Sequence, residues 1–304
     1  MTNSSSVPRP LGSAAGIFLD RLFREPANSH HPVVHFGRVM DSFEKCNYRD
    51  AKRPGVLHAA FGAALGIATG RLIRSTALAT GLAVGGRALH RAATDVANAL
   101  EAGDLERARE LLPSLVGRNP SDLDADEMAR AVVESVAENT VDAVVAPALW
   151  GAVAGAPGTF GYRAINTMDA MIGHRSIRYE NYGWASARLD DAANWVPARC
   201  TAALVTLVRP RAAHEIRVAV LTQAPAHPSP NSGVAEAAFA AALGIQLGGP
   251  SQYGDRVEER PALGNGRSVQ PSDIGDAVRL SRDVTTALFV LLGAIGVRQW
   301  WTRR

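Results

Sequence analysis

Four stretches of this 304-residue chain set carboxylates, amides and guanidinium groups beside apolar runs. In ESVAENTVDAVVAP, Glu134, Glu138 and Asp142 recur every four residues. On a helix that spacing stacks them along one face, a turn apart, where like charges repel unless a cation or an Arg stands opposite. A solvated acidic face is the plain alternative; Asn139, Thr140 and the apolar run that follows argue for a site. In GYRAINTMDAMIGHR, Arg163, Asn166 and Asp169 follow at intervals of three, with His174 and Arg175 after a glycine. Amides and acids on so apolar a helix need partners, because burying them unpaired costs a few kcal/mol. In RYENYGWASARLDDAANWVPAR, Arg188, Asp190, Asp191, Asn194 and Arg199 fall within twelve residues. A DDxxN pattern on a helix can turn its oxygens toward Mg²⁺, which favours carboxylates and keeps waters; an Arg–Asp pair at a helix end is the plainer account. In AHPSPNSGVAEAAF, His227, Ser229, Asn231 and Glu236 border a loop that enters a helix. Asn231 or Ser232 suits the cap, and free N–H groups there can hold a phosphate or carboxylate. His227, followed by Pro, is as readily a turn residue.

Composition narrows the chemistry. Lys45 and Lys52 are the only lysines, so a phosphate site would rest on the planar fork of Arg. A net charge of +3 gives no footprint for nucleic acid. Cys46 and Cys200 alone make neither a disulfide framework nor a zinc cluster, which fits a reducing compartment. There is no GxxxxGK[ST] or GxGxxG loop, no GxSxG elbow, and His214-Glu215 lacks the second His of a zinc HExxH motif.

The elements that must position these residues read as helices, since period-two alternation is scarce. Residues 1–15 read as a disordered tail without the basic and apolar regions of a signal peptide, and 16–304 as one helical domain. Val33–Phe43 and the amphipathic Thr94–Leu112 read as helices, Glu25–Asn28 as a turn, and Asp124 or Asp126 as the cap of the helix carrying the first cluster. Val56–Ile73, Ser75–Gly86, Trp195–Val208, Ala237–Gly254 and Val284–Val297 are weakly apolar. Ala143–Tyr162 is the longest uncharged run, near the roughly 20 residues of a bilayer span, though broken by Pro147 and Pro157. Gly248-Gly249-Pro250 and Tyr253-Gly254 read as a structured loop. Hydropathy alone divides evenly between spans and buried helices of a soluble protein, with a mean hydropathy of −0.02.

The strings HPVVHFGRVM (31–40), ESVAENTVDAVVAPALWG (134–151), YRAINTMDAMIGHRSIRYENYGWASARLDDAANWVPAR (162–199) and HPSPNSGVAEAAFAAALGIQLGGPSQYGD (227–255) together resemble the CobD/CbiB family of adenosylcobinamide-phosphate synthases, over nearly the whole chain after residue 16. The resemblance implies an all-α, multi-pass protein of the cytoplasmic membrane, with polar helices and loops forming a site near the interface. It implies ATP-dependent amide formation between the free propionate of adenosylcobyric acid and aminopropanol or its O-phosphate, with ATP as co-substrate and Mg²⁺ as the expected ion. The expected partners are the corrinoid, the amine, the lipid bilayer and other enzymes of the same pathway. On that reading Glu134, Glu138, Asp142, Asp190 and Asp191 carry the chemistry, and all of these but Glu134 are candidate metal ligands. Asn139, Arg163, Asn166, Asp169, Arg188, Asn194, Arg199, His227, Asn231 and Glu236 bind substrate. Family members open on a more apolar helix ending in Gly-Asp-Pro, where this chain has GIFLDRLFREP. Two rivals are a Mg²⁺-dependent membrane phosphotransferase acting on a diphosphate, suggested by DDAAN, and a non-enzymatic membrane scaffold or regulator.

Overall fold

The structure, a computed structural model, describes residues 7–23, 32–117, 121, 123–173, 176–253 and 256–303. Residues 1–6, the turn at 25–28, and His174 and Arg175 lie outside the described residues. Helices dominate, as the sequence leads one to expect: α1 (Arg9–Leu22), α2 (Pro32–Asn47), α3 (Lys52–Ile73), α4 (Thr76–Ala83), α5 (Gly86–Glu101), α6 (Leu105–Leu111), α7 (Ala125–Thr140), α8 (Ala146–Met168), α9 (Trp184–Val208), α10 (Ala213–Thr222), α11 (Ser232–Leu243) and α12 (Asp273–Thr302). Among the described residues, three segments are long and apolar enough to cross a membrane: Lys52–Ile73, Ala125–Gly173 and Asp273–Thr302. The family's expected first span is not among them; α1 has 14 residues. The helix from Arg9 also replaces the expected tail up to residue 15, because Pro8, Arg9 and Pro10 make a good first turn and the small face Gly12, Ser13, Gly16 packs against α4. The loop expected around Gly248 is an antiparallel hairpin, β1 (Leu247–Tyr253) with β2 (Arg256–Leu263). Gly248 and Gly249, at φ of +84° and +89°, bend the first strand where a side chain would strain the backbone.

The described residues sort into two compact units, each discontinuous in sequence: those of 1–85, 142–194 and 288–304 form the first, and those of 86–141 with 195–287 the second. In the first, α3 lays a glycine stripe, Gly62, Gly66 and Gly70, on α8. A Cβ at Gly66 would meet the Phe160 carbonyl oxygen, and one at Gly70 that of Ala156. Small residues at this spacing let two helices approach backbone to backbone, which is how apolar helices gain packing where lipid offers no hydrophobic drive.

Three prolines each release a carbonyl of this unit four residues earlier in the chain. Pro147 frees Ala143, whose oxygen accepts from Gly85 N at 2.9 Å. Pro157 frees Val153, whose oxygen accepts from Arg9 Nη1 at 2.8 Å; Gly155, at φ 71° and ψ −158°, breaks the helix beside it. Pro197 frees Ala193, whose oxygen accepts from Trp150 Nε1 at 3.1 Å. The prolines therefore act as joints, since an orphaned carbonyl in an apolar setting demands a donor from elsewhere.

Trp150→Phe should lower thermal stability in detergent by about 1 kcal/mol, within the range for a buried acceptor losing its donor. In a Pro197→Ala background, where residue 197 regains its N–H, the same change should cost distinctly less. Equal losses in both backgrounds would mean that the indole is not supplying the missing bond.

Candidate functional site

Each unit gathers its own set of the candidate residues. In the first, a wide π-type turn at Val141–Val145 carries Asp142, in place of the uninterrupted α-helix that would align it with Glu134 and Glu138. Such turns take one extra residue and recur at functional sites. On α8, Tyr162 and Asn166 lie one turn apart, and on α9 so do Asp190 and Asn194. The three segments meet through these side chains. Asn166 Nδ2 donates to Asp142 Oδ2 at 3.2 Å and to Asp190 Oδ1 at 3.3 Å. Asn194 Nδ2 donates to the other oxygen of Asp190 at 3.0 Å, and Asn194 Oδ1 accepts from the Tyr162 hydroxyl at 2.8 Å. Arg163 Nη1 donates to Asn166 Oδ1 at 3.3 Å. Tyr162 and Asn194 are buried, while Asp142, Asn166 and Asp190 are half-buried. Ala146 and Ala193 are small enough to let the Tyr162 ring sit between them.

The Asp190-Asp191 pair divides. Asp191 lies beside Arg188, 3.4 Å away, and burial pushes its carboxyl above the ordinary value while Arg188 opposes the shift. Asp169 sits on a second π-type turn, Asp169–Gly173, with its carboxylate against Gly173.

In the second unit, Glu134 accepts from Gly248 N at 3.0 Å while Arg130 Nη1 donates to Gly248 O at 2.9 Å, so α7 clamps one residue of the hairpin from both of its backbone polar groups. Glu138 accepts from the Ser232 hydroxyl at 2.9 Å. Asn139 donates back to Ser135 O at 2.9 Å on its own helix. Arg199 stacks on Trp195 and donates to Asn231 Oδ1 at 3.2 Å; burial lowers its guanidinium from the ordinary value. Glu236 is fully buried, 3.7 Å from His227 Nε2 and 3.8 Å from Arg260 Nη1. Burial depresses the His227 imidazole first; the Ser229 backbone opposes this, Arg260 adds to it, and Glu138 and Glu134 oppose it.

Residues 13–281 match the family model described as CobD/Cbib protein. The chain belongs to the CobD/CbiB family. It is 47% identical over 296 residues to the cobalamin biosynthesis protein CobD of Mycobacterium tuberculosis (strain CDC 1551 / Oshkosh), covering 93% of this chain and 94% of that protein. The protein of that name in Rhodobacter capsulatus is 41% identical over 282 residues, 88% of this chain and 90% of the relative. The one in Chromobacterium violaceum is 42% identical over 306 residues, 92% and 96%. No solved structure matches the chain significantly.

Within this CobD/CbiB chain, sequence reasoning missed Tyr162, Arg130 and Arg260, and read Ser232 only as a helix cap where its hydroxyl donates to Glu138. Tyr162 carried a signal: a hydroxyl one turn before Asn166 in an otherwise apolar run. Arg260 carried none, because its partner Glu236 is 24 residues away across a hairpin read as a loop.

Two outcomes follow. Asn166→Asp places a third acid between Asp142 and Asp190 and should cost about 1–3 kcal/mol of stability, more than Asn166→Ala. Mg²⁺ should raise the melting temperature of Asn166→Asp more than that of the wild type; no such difference would separate these acids from any cation site. His227, depressed in the folded chain, leaves stability intact above its ordinary value of about 6.5 and erodes it as pH falls through that value. From about pH 7.5 to about pH 5.5 the wild type should lose roughly 1 kcal/mol more than His227→Gln in chemical unfolding. Parallel pH profiles would show that this imidazole is not held neutral.

Proposed function

We propose that the chain acts in cobalamin biosynthesis as an ATP-dependent ligase of the cytoplasmic membrane. It joins the free propionate of adenosylcobyric acid to aminopropanol or its O-phosphate, giving adenosylcobinamide or its phosphate. Family membership supports the pathway. The observation that carries the site is the ring of Asp142, Asn166, Asp190 and Asn194, in which two acids from separate segments share one amide nitrogen.

The reaction poses two problems. A carboxylate resists attack, and an amine at neutral pH is protonated. Transfer of the γ-phosphoryl group of ATP to the propionate oxygen releases ADP and makes an acyl phosphate. The amine nitrogen then attacks the acyl carbon, phosphate leaves, and the nitrogen proton passes to a base. Asp142 and Asp190 suit both tasks. Their donor set fits Mg²⁺, which is commonly held by one or two carboxylates plus water and substrate phosphates. Among the described residues no group of three or more His, Cys, Asp and Glu is placed to hold a metal ion, so such an ion would rely on phosphate oxygens as well. When bound, Mg²⁺ draws negative charge from the transferring phosphoryl oxygens. Asn166 and Asn194 fix the rotamers of the two acids, and Tyr162 holds Asn194 in turn.

The other two acids first counted as metal ligands have engagements of their own, Glu138 with Ser232 and Asp191 with Arg188. That division also weakens the diphosphate phosphotransferase reading, which needs Asp190 and Asp191 to face one ion. Arg199 and Asn231 offer donors for a phosphate group. The lipid bilayer and neighbouring pathway enzymes are the partners of this reading.

Purified protein given ATP, Mg²⁺, adenosylcobyric acid and either amine should yield the cobinamide product with stoichiometric ADP. Asp190→Asn should reduce kcat about 100-fold or more, whereas Asp191→Asn should stay within about threefold of wild type. Absence of product with both amines would end this reading, and equal losses in the two variants would remove the assignment of roles within DDAAN.

A further inference from the structure

The first unit contains a groove of about 400 Å³ between α2, α3 and α8. Phe36, Val39, Leu65 and Phe160 give it apolar walls, and Arg163 is the one charged side chain of Asp, Glu, Lys or Arg type that lines it among the described residues. Arg163 is also the residue whose Nη1 bonds Asn166, the amide that bridges Asp142 and Asp190. The groove and the acid pair thus share a side chain. Arg163 Nε is shielded from solvent and has no acceptor among the described residues. An unpaired donor of this kind is costly until an acceptor reaches it, and the guanidinium edge matches a carboxylate with two parallel hydrogen bonds.

We propose that this groove seats the carboxylate-bearing edge of the acid substrate, with the propionate oxygens on the Arg163 guanidinium; the assignment rests on the ligase reading above. The ligand chemistry is an apolar rim carrying one carboxylate. The ring methyls beside the single free propionate of a corrin have that character, with the amide side chains of the rest of the macrocycle left outside the groove, whereas a nucleotide or a short amino alcohol does not. A groove of this volume lies at the small end for a ligand site, so it takes an edge of the macrocycle and not the whole. Seated there, the propionate meets the shell of Asn166, Asp142 and Asp190. Arg163 is a specificity residue in this arrangement: it distinguishes the acid from its amide by pairing only with the charged form.

Equilibrium binding in detergent, read from the corrin absorbance, tests this with cobyric acid and with the corresponding neutral carboxamide. Arg163→Gln should weaken binding of the acid at least about tenfold and leave the carboxamide within about twofold of wild type. Arg163→Lys, which keeps the charge but loses the fork, should fall between. Val39→Trp, at a position 44% exposed and so tolerant of bulk, should weaken both ligands by filling the groove. Unchanged acid affinity in Arg163→Gln, equal loss of acid and amide, or unchanged binding in Val39→Trp would each overturn the assignment. Wild-type protein that takes a fatty acid in the groove but not cobyric acid would give the groove to lipid. If wild-type protein nevertheless forms cobinamide, the ligase reading survives and only this seat is lost.

Discussion

Asp142 and Asp190 each reach for the same amide nitrogen of Asn166. Two acids held so close inside helical segments must be oriented by neutral donors or matched by a cation, because burial of an uncompensated charge is among the most expensive events in a protein. The rest of the first unit follows from that demand. Asn194 takes the second oxygen of Asp190, Tyr162 takes the oxygen of Asn194, and Arg163 takes the oxygen of Asn166. The amide oxygens are thereby engaged, and the acids are the acceptors turned to the centre.

Backbone constraints put these side chains in reach. The π-type turn at Val141–Val145 re-aims Asp142, and the helix break at Gly155 and Pro157 redirects α8 before Tyr162. The carbonyl that Pro197 leaves free on Ala193 is taken by Trp150, which ties α8 to α9 one residue before Asn194. The glycine stripe of α3 sets α8 from the other side. Sequence features that look like helix breakers in an apolar run thus place these side chains.

Much of this was legible in the residues. The scarcity of alternating strands marked the chain as helical, the family resemblance and not hydropathy marked it as a membrane protein, and the polar residues beside apolar runs marked Asp142, Asn166, Asp190 and Asn194. What spacing alone could not tell was which side of a helix each acid uses. Asp190 and Asp191 are adjacent and so point about 100° apart, one into the amide ring and the other to Arg188. Likewise Glu134 and Glu138 share a stripe, yet one holds a hairpin peptide and the other a serine hydroxyl. The hairpin was missed because its first strand carries Gly248, Gly249 and Pro250, which signal a loop. The tail was misplaced because Ser and Pro at the start concealed a helix whose small face packs against α4. Long-range pairs such as Arg260 with Glu236 leave no local trace at all.

In the proposed function, Asp142 and Asp190 act as one cation-binding pair whose geometry Asn166 sets. Mn²⁺ binding in the presence of ATP, followed by electron paramagnetic resonance, addresses it without relying on turnover. A protein-bound Mn²⁺ signal should disappear in Asp142→Asn and in Asp190→Asn and persist in Asp191→Asn. A signal that survives both of the first two substitutions would contradict it.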